Sequence, residues 1–191
     1  MKYNLYEKQS KSAKRVLSAF GSALLNLLCE KSFESLTVGE ICNKADYPRA
    51  TFYNYFDDKN DMLNYYWFRL ASSVNVNSTE YISLQAMITD YVSCLYDLAQ
   101  KHFDSLRMLV LHNPLNGYFL MSCRIYLCER IKQIILENSY KNETPVPTDI
   151  LSEYYINTLL IIIFRCLADS NPIEESKVKE YLMYLIKGNE V

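Results

Sequence analysis

The stretch Leu36-Thr37-Val38-Gly39-Glu40-Ile41-Cys42-Asn43-Lys44-Ala45-Asp46-Tyr47-Pro48-Arg49-Ala50-Thr51-Phe52-Tyr53-Asn54-Tyr55-Phe56 decides the fold. It opens with a capping box. Thr37 can accept from the amide of Glu40 while Glu40 reaches back to the amide of Thr37, so a helix starts here. Val38, Ile41, Cys42 and Ala45 recur at helical spacing and give that short helix one apolar face. Asp46-Tyr47 breaks it. Pro48 starts another, because proline at the first helical position gives up an amide that would have no partner anyway. This second short helix, residues 48–55, can turn Phe52 inward with Phe56 four residues on. Arg49, Ala50, Thr51, Tyr53, Asn54 and Tyr55 are then left mostly outward.

Working outward, residues 11–30 carry Val16, Phe20, Ala23, Leu24, Leu27 and Leu28 at spacings of three and four, the mark of an amphipathic helix. Asp57-Asp58 caps a fourth helix that starts near Lys59 and runs to about residue 74. Residues 75–79 form a polar break, which divides the chain into residues 1–74 and 75–191. Beyond it the periodicity predicts helices at 80–101, Phe103–His112, 115–137, Thr148–Ala168 and 172–186. A loop at 138–147 and a short turn at 169–172 separate the last three. The expected fold class is all-α, with about nine helices. It has an N-terminal three-helix helix-turn-helix domain and a C-terminal helical domain for ligand binding and dimerisation.

Composition agrees with this layout. Half the residues are apolar, so a sizeable core is available, while four Gly and five Pro are too few for a fold of many short strands. Residues 1–69 hold ten Lys/Arg against eight Asp/Glu, and residues 70–191 ten against fourteen. Charge is thus +2 on the first part and −4 on the second. A basic arm (Lys2, Lys8, Lys11, Lys14, Arg15) on a mildly acidic body suits contact with an anion at one end. The six cysteines make no C-x-x-C pair and sit largely at apolar helical positions, as buried reduced thiols do. His102 and His112 have no metal-ligand spacing. The longest uninterrupted apolar run, residues 159–164, is too short to span a bilayer. The expectation is a cytoplasmic protein with no metal, no cofactor and no catalytic group, and therefore not an enzyme.

Two short helices joined by about three residues and braced by a longer one describe a helix-turn-helix. The second helix fits the major groove, where each base pair presents its own donor and acceptor pattern. Arg49 lies in its first turn, where side chains reach base edges. Lys59 opens the next helix beside the same surface, where its ammonium and the helix-start amides could hold a phosphate. These residues also carry a resemblance. The pattern Leu36-Thr37-Val38-x-x-Ile41-Cys42-x-x-Ala45, then Arg49-Ala50-Thr51-Phe52-Tyr53-x-Tyr55-Phe56-x-x-Lys59-x-x-Met62-Leu63, resembles the DNA-binding domain of TetR-family regulators over residues 11–70. Phe164-Arg165-Cys166-Leu167-Ala168 before Pro172 resembles the C-terminal domain of Firmicutes members. Two positions depart from the family pattern. Asp46 stands where the turn usually has Gly, and Pro48 replaces a small hydroxyl cap.

The resemblance implies a division of labour. Thr37 would start the positioning helix near a phosphate. Arg49, Ala50, Thr51 and Asn54 would face bases, and Tyr53, Tyr55 and Lys59 would hold the DNA backbone. The implied function is a dimeric, sequence-specific transcription regulator on a near-palindromic operator in double-stranded DNA. It would be a repressor released by a small apolar effector. The implied effector cavity between the middle helices would take its lining from Tyr91, Leu95, Met108, Leu111, Phe119, Met121 and Tyr126. A homodimer would use the last two helices, with Ile156, Leu159, Leu160, Ile163 and Leu167 as its contacts. The alternative is a protein-binding adaptor or co-activator on the same scaffold.

Overall fold

The computed structural model of the chain describes residues 10–73, 83–137 and 145–168, together with residues 177, 180, 181 and 183–185. Eight helices are complete among them: α1 (Lys11–Leu28), α2 (Val38–Ala45), α3 (Arg49–Tyr55), α4 (Lys59–Ser73), α5 (Leu84–Lys101), α6 (Phe103–His112), α7 (Tyr118–Glu137) and α8 (Thr148–Ala168). No strand occurs among the described residues, and the fold is all-α. Of the expected final helix, Lys177, Glu180, Tyr181, Met183, Tyr184 and Leu185 are helical. The arm at residues 2–8, the break at 75–79, most of the loop at 138–147 and the turn at 169–172 lie outside the described residues.

Helices α1, α4 and α5 begin where a side chain takes up an orphan amide. Ser10 accepts from the Ala13 amide at 3.1 Å, Ser83 from Ala86 at 3.2 Å, and Asp58 from Asp61 at 2.8 Å. Helix α5 therefore starts after Ser83 rather than at residue 80. Helix α7 starts at Tyr118 rather than 115, because the Gly117 amide donates to the Pro114 carbonyl at 2.8 Å and closes a turn first. Pro48 is the cap of α3 (φ −61°, ψ 149°) and not its first helical residue.

A single apolar cluster runs from α1 through α8. Helix α1 buries Val16, Leu17, Phe20, Ala23, Leu24, Leu27 and Leu28 on one face. Helix α4 joins the two ends of the molecule. Its Met62 and Leu63 pack under α1, α2 and α3, while Trp67 meets Phe119 of α7 at 4.9 Å and donates its indole N–H to Ser122 at 2.9 Å. Helix α8 packs on α5, α6 and α7 and buries Tyr155, Ile156, Leu159, Ile162, Cys166 and Leu167. Taken whole, Thr148–Leu167 is long and apolar enough to cross a membrane, which no single apolar run suggested. Its inner side is buried against α5, α6 and α7, while Ile150, Tyr154 and Ile161 are exposed on the outer side. All six cysteines are free thiols, and burial pushes Cys123 up to about 12.

The turn between α2 and α3 hangs on Asp46, which sits in the left-handed region at φ 58°, ψ 42°, the one non-glycine residue there among those described. In that pose the Tyr47 amide reaches the Cys42 carbonyl at 3.1 Å and closes α2. An L-residue pays roughly 1–2 kcal/mol for this conformation, and aspartate less than most. Asp46→Gly should therefore leave stability unchanged or raise it by up to about 1 kcal/mol, whereas Asp46→Val should lower it by about 1–2 kcal/mol. Urea melts of the two variants check this; equal midpoints for both would remove the left-handed turn.

Candidate nucleic-acid interface

The interface is built on Phe20. Its ring, fully buried on α1, meets Phe52 edge-on at 5.5 Å, Tyr47 at 5.6 Å and Phe56 at 6.4 Å. These contacts hold the turn, the middle and the end of α3 at once. Phe52 is the one buried residue of α3. Arg49, Ala50, Tyr53 and Asn54 are exposed, while Thr51 and Tyr55 are half-buried, Tyr55 resting against the core. The helix thus presents a continuous outer face, with Arg49 at its start.

Arg49 does not stand alone. Its guanidinium lies over Gly39 of α2, so closely that a Cβ added at Gly39 would meet the Arg49 Cζ at 3.2 Å. The sequence reading missed Gly39. A glycine inside an eight-residue helix, two residues from a cap, was the available signal, since it costs helix stability unless something needs the space.

The capping box is complete. The Glu40 amide donates to the Thr37 hydroxyl at 3.3 Å, and the Thr37 amide and hydroxyl both donate to Glu40 Oε2 at 2.9 Å. Lys31 pairs with Glu40 Oε1. Thr37 remains exposed at the start of α2. The hydrogen bond from Lys31 and those from Thr37 hold the Glu40 carboxyl at about 2, down from an ordinary 4.5.

Lys59 has a different place from the one expected. Its ammonium donates to the carbonyls of Phe33 at 2.9 Å, Glu34 at 3.0 Å and Leu36 at 2.7 Å, and lies 4.9 Å from the centre of the Phe33 ring. An ammonium has three donors, and all three are taken, so a phosphate would have to displace a carbonyl. Burial lowers the Lys59 pKa, with Glu34, Asp58 and Glu40 opposing that shift. Lys59 fastens α4 to the α1–α2 connection.

The residues expected to line a cavity do not converge on one. Tyr91, Leu95 and Phe119 are buried, whereas Met108, Leu111 and Met121 are exposed, Leu111 by 61%. Met121 and Tyr126 line an open groove of about 260 Å³ with Asn64, Tyr118, Ser122, Ile125 and Glu129. A second groove of about 260 Å³ lies between α1 and α4, along Leu17, Gly21, Leu25, Tyr66 and Arg69. The expected dimer contacts are also redistributed. Ile156, Leu159 and Leu167 are buried within this chain, and Leu160 and Ile163 are half-buried, so most of that set serves the chain's own core. The exposed apolar side chains of α8 are Ile150, Tyr154 and Ile161, and Tyr154 donates its hydroxyl to the Leu185 carbonyl at 2.6 Å.

Residues 22–66, spanning most of α1 to α4, match the family model described as bacterial regulatory proteins, tetR family. Over that stretch the chain is similar to the TetR family. The solved structures it is similar to include the following regulators. A TetR-family transcriptional regulator from Syntrophomonas wolfei is 17% identical, with 93% of this chain and 98% of that chain covered and a TM-score of 0.69. The fatty acid degradation regulator FadR from Bacillus halodurans is 15% identical over 96% and 99%, with a TM-score of 0.65. The dihydroxyacetone kinase operon activator DhaS is 18% identical over 90% and 96%, with a TM-score of 0.54. At these identities the likeness speaks for the fold alone. No curated protein matches the sequence.

The Glu40 cap gives a test in pH. A carboxyl held lower in the folded than in the unfolded chain stabilises the fold above its unfolded value and loses that contribution as pH falls through its folded value. Wild type should therefore lose stability between about pH 4.5 and 2 more steeply than Glu40→Gln, the two converging at the acid end. Urea melts at steps across that window are the measurement. A constant gap between the two proteins would exclude a charged cap.

Proposed function

We propose that this chain is a TetR-family regulator, a dimeric, sequence-specific DNA-binding repressor of transcription released by a small apolar effector. Residues 1–74 bind DNA, and residues 75–191 bind the effector and the second protomer. The observation that carries this reading is the outer face of α3. Arg49, Ala50, Tyr53 and Asn54 are exposed on a helix held rigidly by Phe20, and the Arg49 guanidinium is seated on Gly39. Such a face fits a major groove, with Arg49 reading a base edge and Ala50, Thr51 and Asn54 beside it. Thr37, Tyr53 and Tyr55 take phosphates. Lys11, Lys14 and Arg15, exposed at the start of α1, replace Lys59 as the cations that draw the backbone in.

The dimer forms on the outer face of α8 and the last helix. Ile150 and Ile161 are 59% and 54% exposed, and Tyr181, Tyr184 and Leu185 are exposed beside them. Two-fold pairing of that face calls for a near-palindromic operator. The effector reading draws support from Tyr91, whose buried hydroxyl has no hydrogen-bond partner among the described residues and which neighbours Arg130, Tyr126 and Cys123. A buried hydroxyl in that state costs roughly 1–3 kcal/mol, which a bound molecule with one polar group would recover. A second reading, an adaptor or co-activator, draws on DhaS, an operon activator of the same fold. Titration against genomic fragments separates them, because saturable sequence-dependent binding belongs to the first and non-specific binding to the second.

Arg49→Ala should weaken the preferred operator by about 1–3 kcal/mol and relax the choice at one base pair. Gly39→Ala should displace the Arg49 guanidinium and reproduce part of that loss, while stability holds or rises by up to about 1 kcal/mol, as expected for a glycine replaced within a helix. Selection of binding sites from a random pool, with melts of each variant, tests both. Unchanged selectivity in both variants would take Arg49 out of the reading set. Ile150→Glu with Ile161→Glu should turn the dimer into a monomer at micromolar concentration, read by sedimentation velocity. An undiminished dimer would move the interface off this face.

A further inference from the structure

The connection between α1 and α2 is gripped from two sides. On one side the side chain of Asn113, 1% exposed at the end of α6, accepts from the Phe33 amide at 2.8 Å and donates to the carbonyls of Leu28 at 3.1 Å and Leu109 at 2.9 Å. One amide group thereby ties the last turn of α6 to the end of α1 and to the connection itself. Next to it, Glu34 Oε1 accepts from the Tyr118 amide at 2.7 Å, so a carboxylate from the DNA-binding end caps the first residue of α7. Such a charge is favoured at a helix start. Phe33 and Tyr118 stack at 5.5 Å with 12° between their planes, and Cys29 Sγ donates to the Ser105 carbonyl at 3.5 Å. Gly117 leaves the room: a Cβ there would come within 3.3 Å of Glu34 Oε1 and 3.1 Å of the Pro114 carbonyl. On the other side, Lys59 holds the Phe33, Glu34 and Leu36 carbonyls. Leu36 leads straight into Thr37, the cap of α2.

We propose that residues 28–36 are the coupling joint of the molecule, through which the α6–α7 corner sets the pose of α2 and α3, with Asn113 and Glu34 as its positioning residues. A shift of the α6–α7 corner moves the Leu28 carbonyl, the Phe33 amide and the Glu34 carboxylate together, because all three are bonded to that corner. It cannot be absorbed within the connection, because Lys59 ties three of its carbonyls to α4. The shift passes instead to Thr37 and the helix it caps. Burial alone would raise the Glu34 pKa; the amides of Glu34 and Tyr118 outweigh that and lower it, in keeping with a carboxylate at work in the joint. The link to DNA affinity rests on the proposed DNA-binding role, whereas the mechanical link between the two ends does not.

Hydrogen exchange on the full chain tests the joint without DNA. Glu34 is exposed, so Glu34→Ala keeps the fold. Exchange at residues 118–121 should rise about tenfold from loss of the cap, and exchange in α2 and α3 should rise about threefold with it. Glu34→Gln, which keeps an acceptor, should restore most of both. A rise confined to residues 118–121 would make Glu34 a local cap and overturn the proposal. With a preferred operator added, coupling is reciprocal, so DNA should alter exchange at residues 118–121 in wild type and not in Glu34→Ala. DNA binding that leaves residues 118–121 unaltered in wild type would likewise overturn it. Arg49→Ala should weaken operator binding yet keep wild-type exchange at Tyr118 in the absence of DNA. A wild type that binds no operator therefore fails the functional reading alone, and the DNA-free comparison still decides the joint.

Discussion

The helix that would face DNA has seven residues, too few to hold itself in water. It exists because Phe20 reaches it. Burying an aromatic ring stabilises a fold by roughly 1.5–3 kcal/mol, and an edge-to-face pair adds about 0.5–1.5 kcal/mol. Phe52 and Phe56 both draw on that ring, and Tyr47 pins the preceding turn to it. The consequence reaches past stability. With one buried side chain and its aromatic neighbour supplying the anchorage, the remaining positions of α3 are released from packing. Arg49, Ala50, Tyr53 and Asn54 are then governed by what they meet outside the protein.

The parts of this arrangement that were legible in the sequence are those written within a few residues. The capping box joins positions three apart, the left-handed turn is one residue with a short polar side chain, and the aromatic pair is four apart. Each has a partner inside the same window. The bonds Lys59 makes within the chain were illegible for the complementary reason. Its partners lie 23 to 26 residues upstream and are backbone carbonyls, which leave no trace in a sequence. Asn113 is hidden still more deeply, since a lone asparagine after a helix reads as an ordinary cap, while its bonds to Phe33 and Leu28 cross 80 and 85 positions. Helix α8 was legible as a helix to the residue, but its faces were not. With Ile150, Ile156, Leu159, Ile161 and Ile162 spread around it, apolar periodicity cannot say which side meets the chain's own core.

The clamp at Lys59 answers a requirement of the backbone. A connection that belongs to no helix has carbonyls without intrinsic donors, and where it is covered by other elements those groups need partners. Phe33 and Leu36 are buried, so solvent serves their neighbourhood poorly. Supplying three donors from one ammonium satisfies the connection at a single point. It also ties α4, whose Trp67 meets Phe119 of α7, to the same few residues that Asn113 and Glu34 hold. A satisfied connection is thereby a stiff one. Stiffness there is what allows a displacement at one end of the molecule to arrive at the other.

Two residues break local rules inside the helix-turn-helix, and both bear on Arg49. Asp46 accepts a left-handed conformation that disfavours L-residues, and Gly39 gives up helix stability worth roughly 0.5–1 kcal/mol relative to alanine. Departures of this kind concentrate where function outweighs stability. The turn at Asp46 sets the angle between α2 and α3, and the missing side chain at Gly39 gives the guanidinium on α3 a seat on α2. A long, flexible arginine loses much of its freedom when it is ordered in a complex. One already resting on a neighbouring helix has less to lose. The strain in the turn and the gap in the helix are thus two halves of one arrangement, which fixes where Arg49 points before any partner arrives.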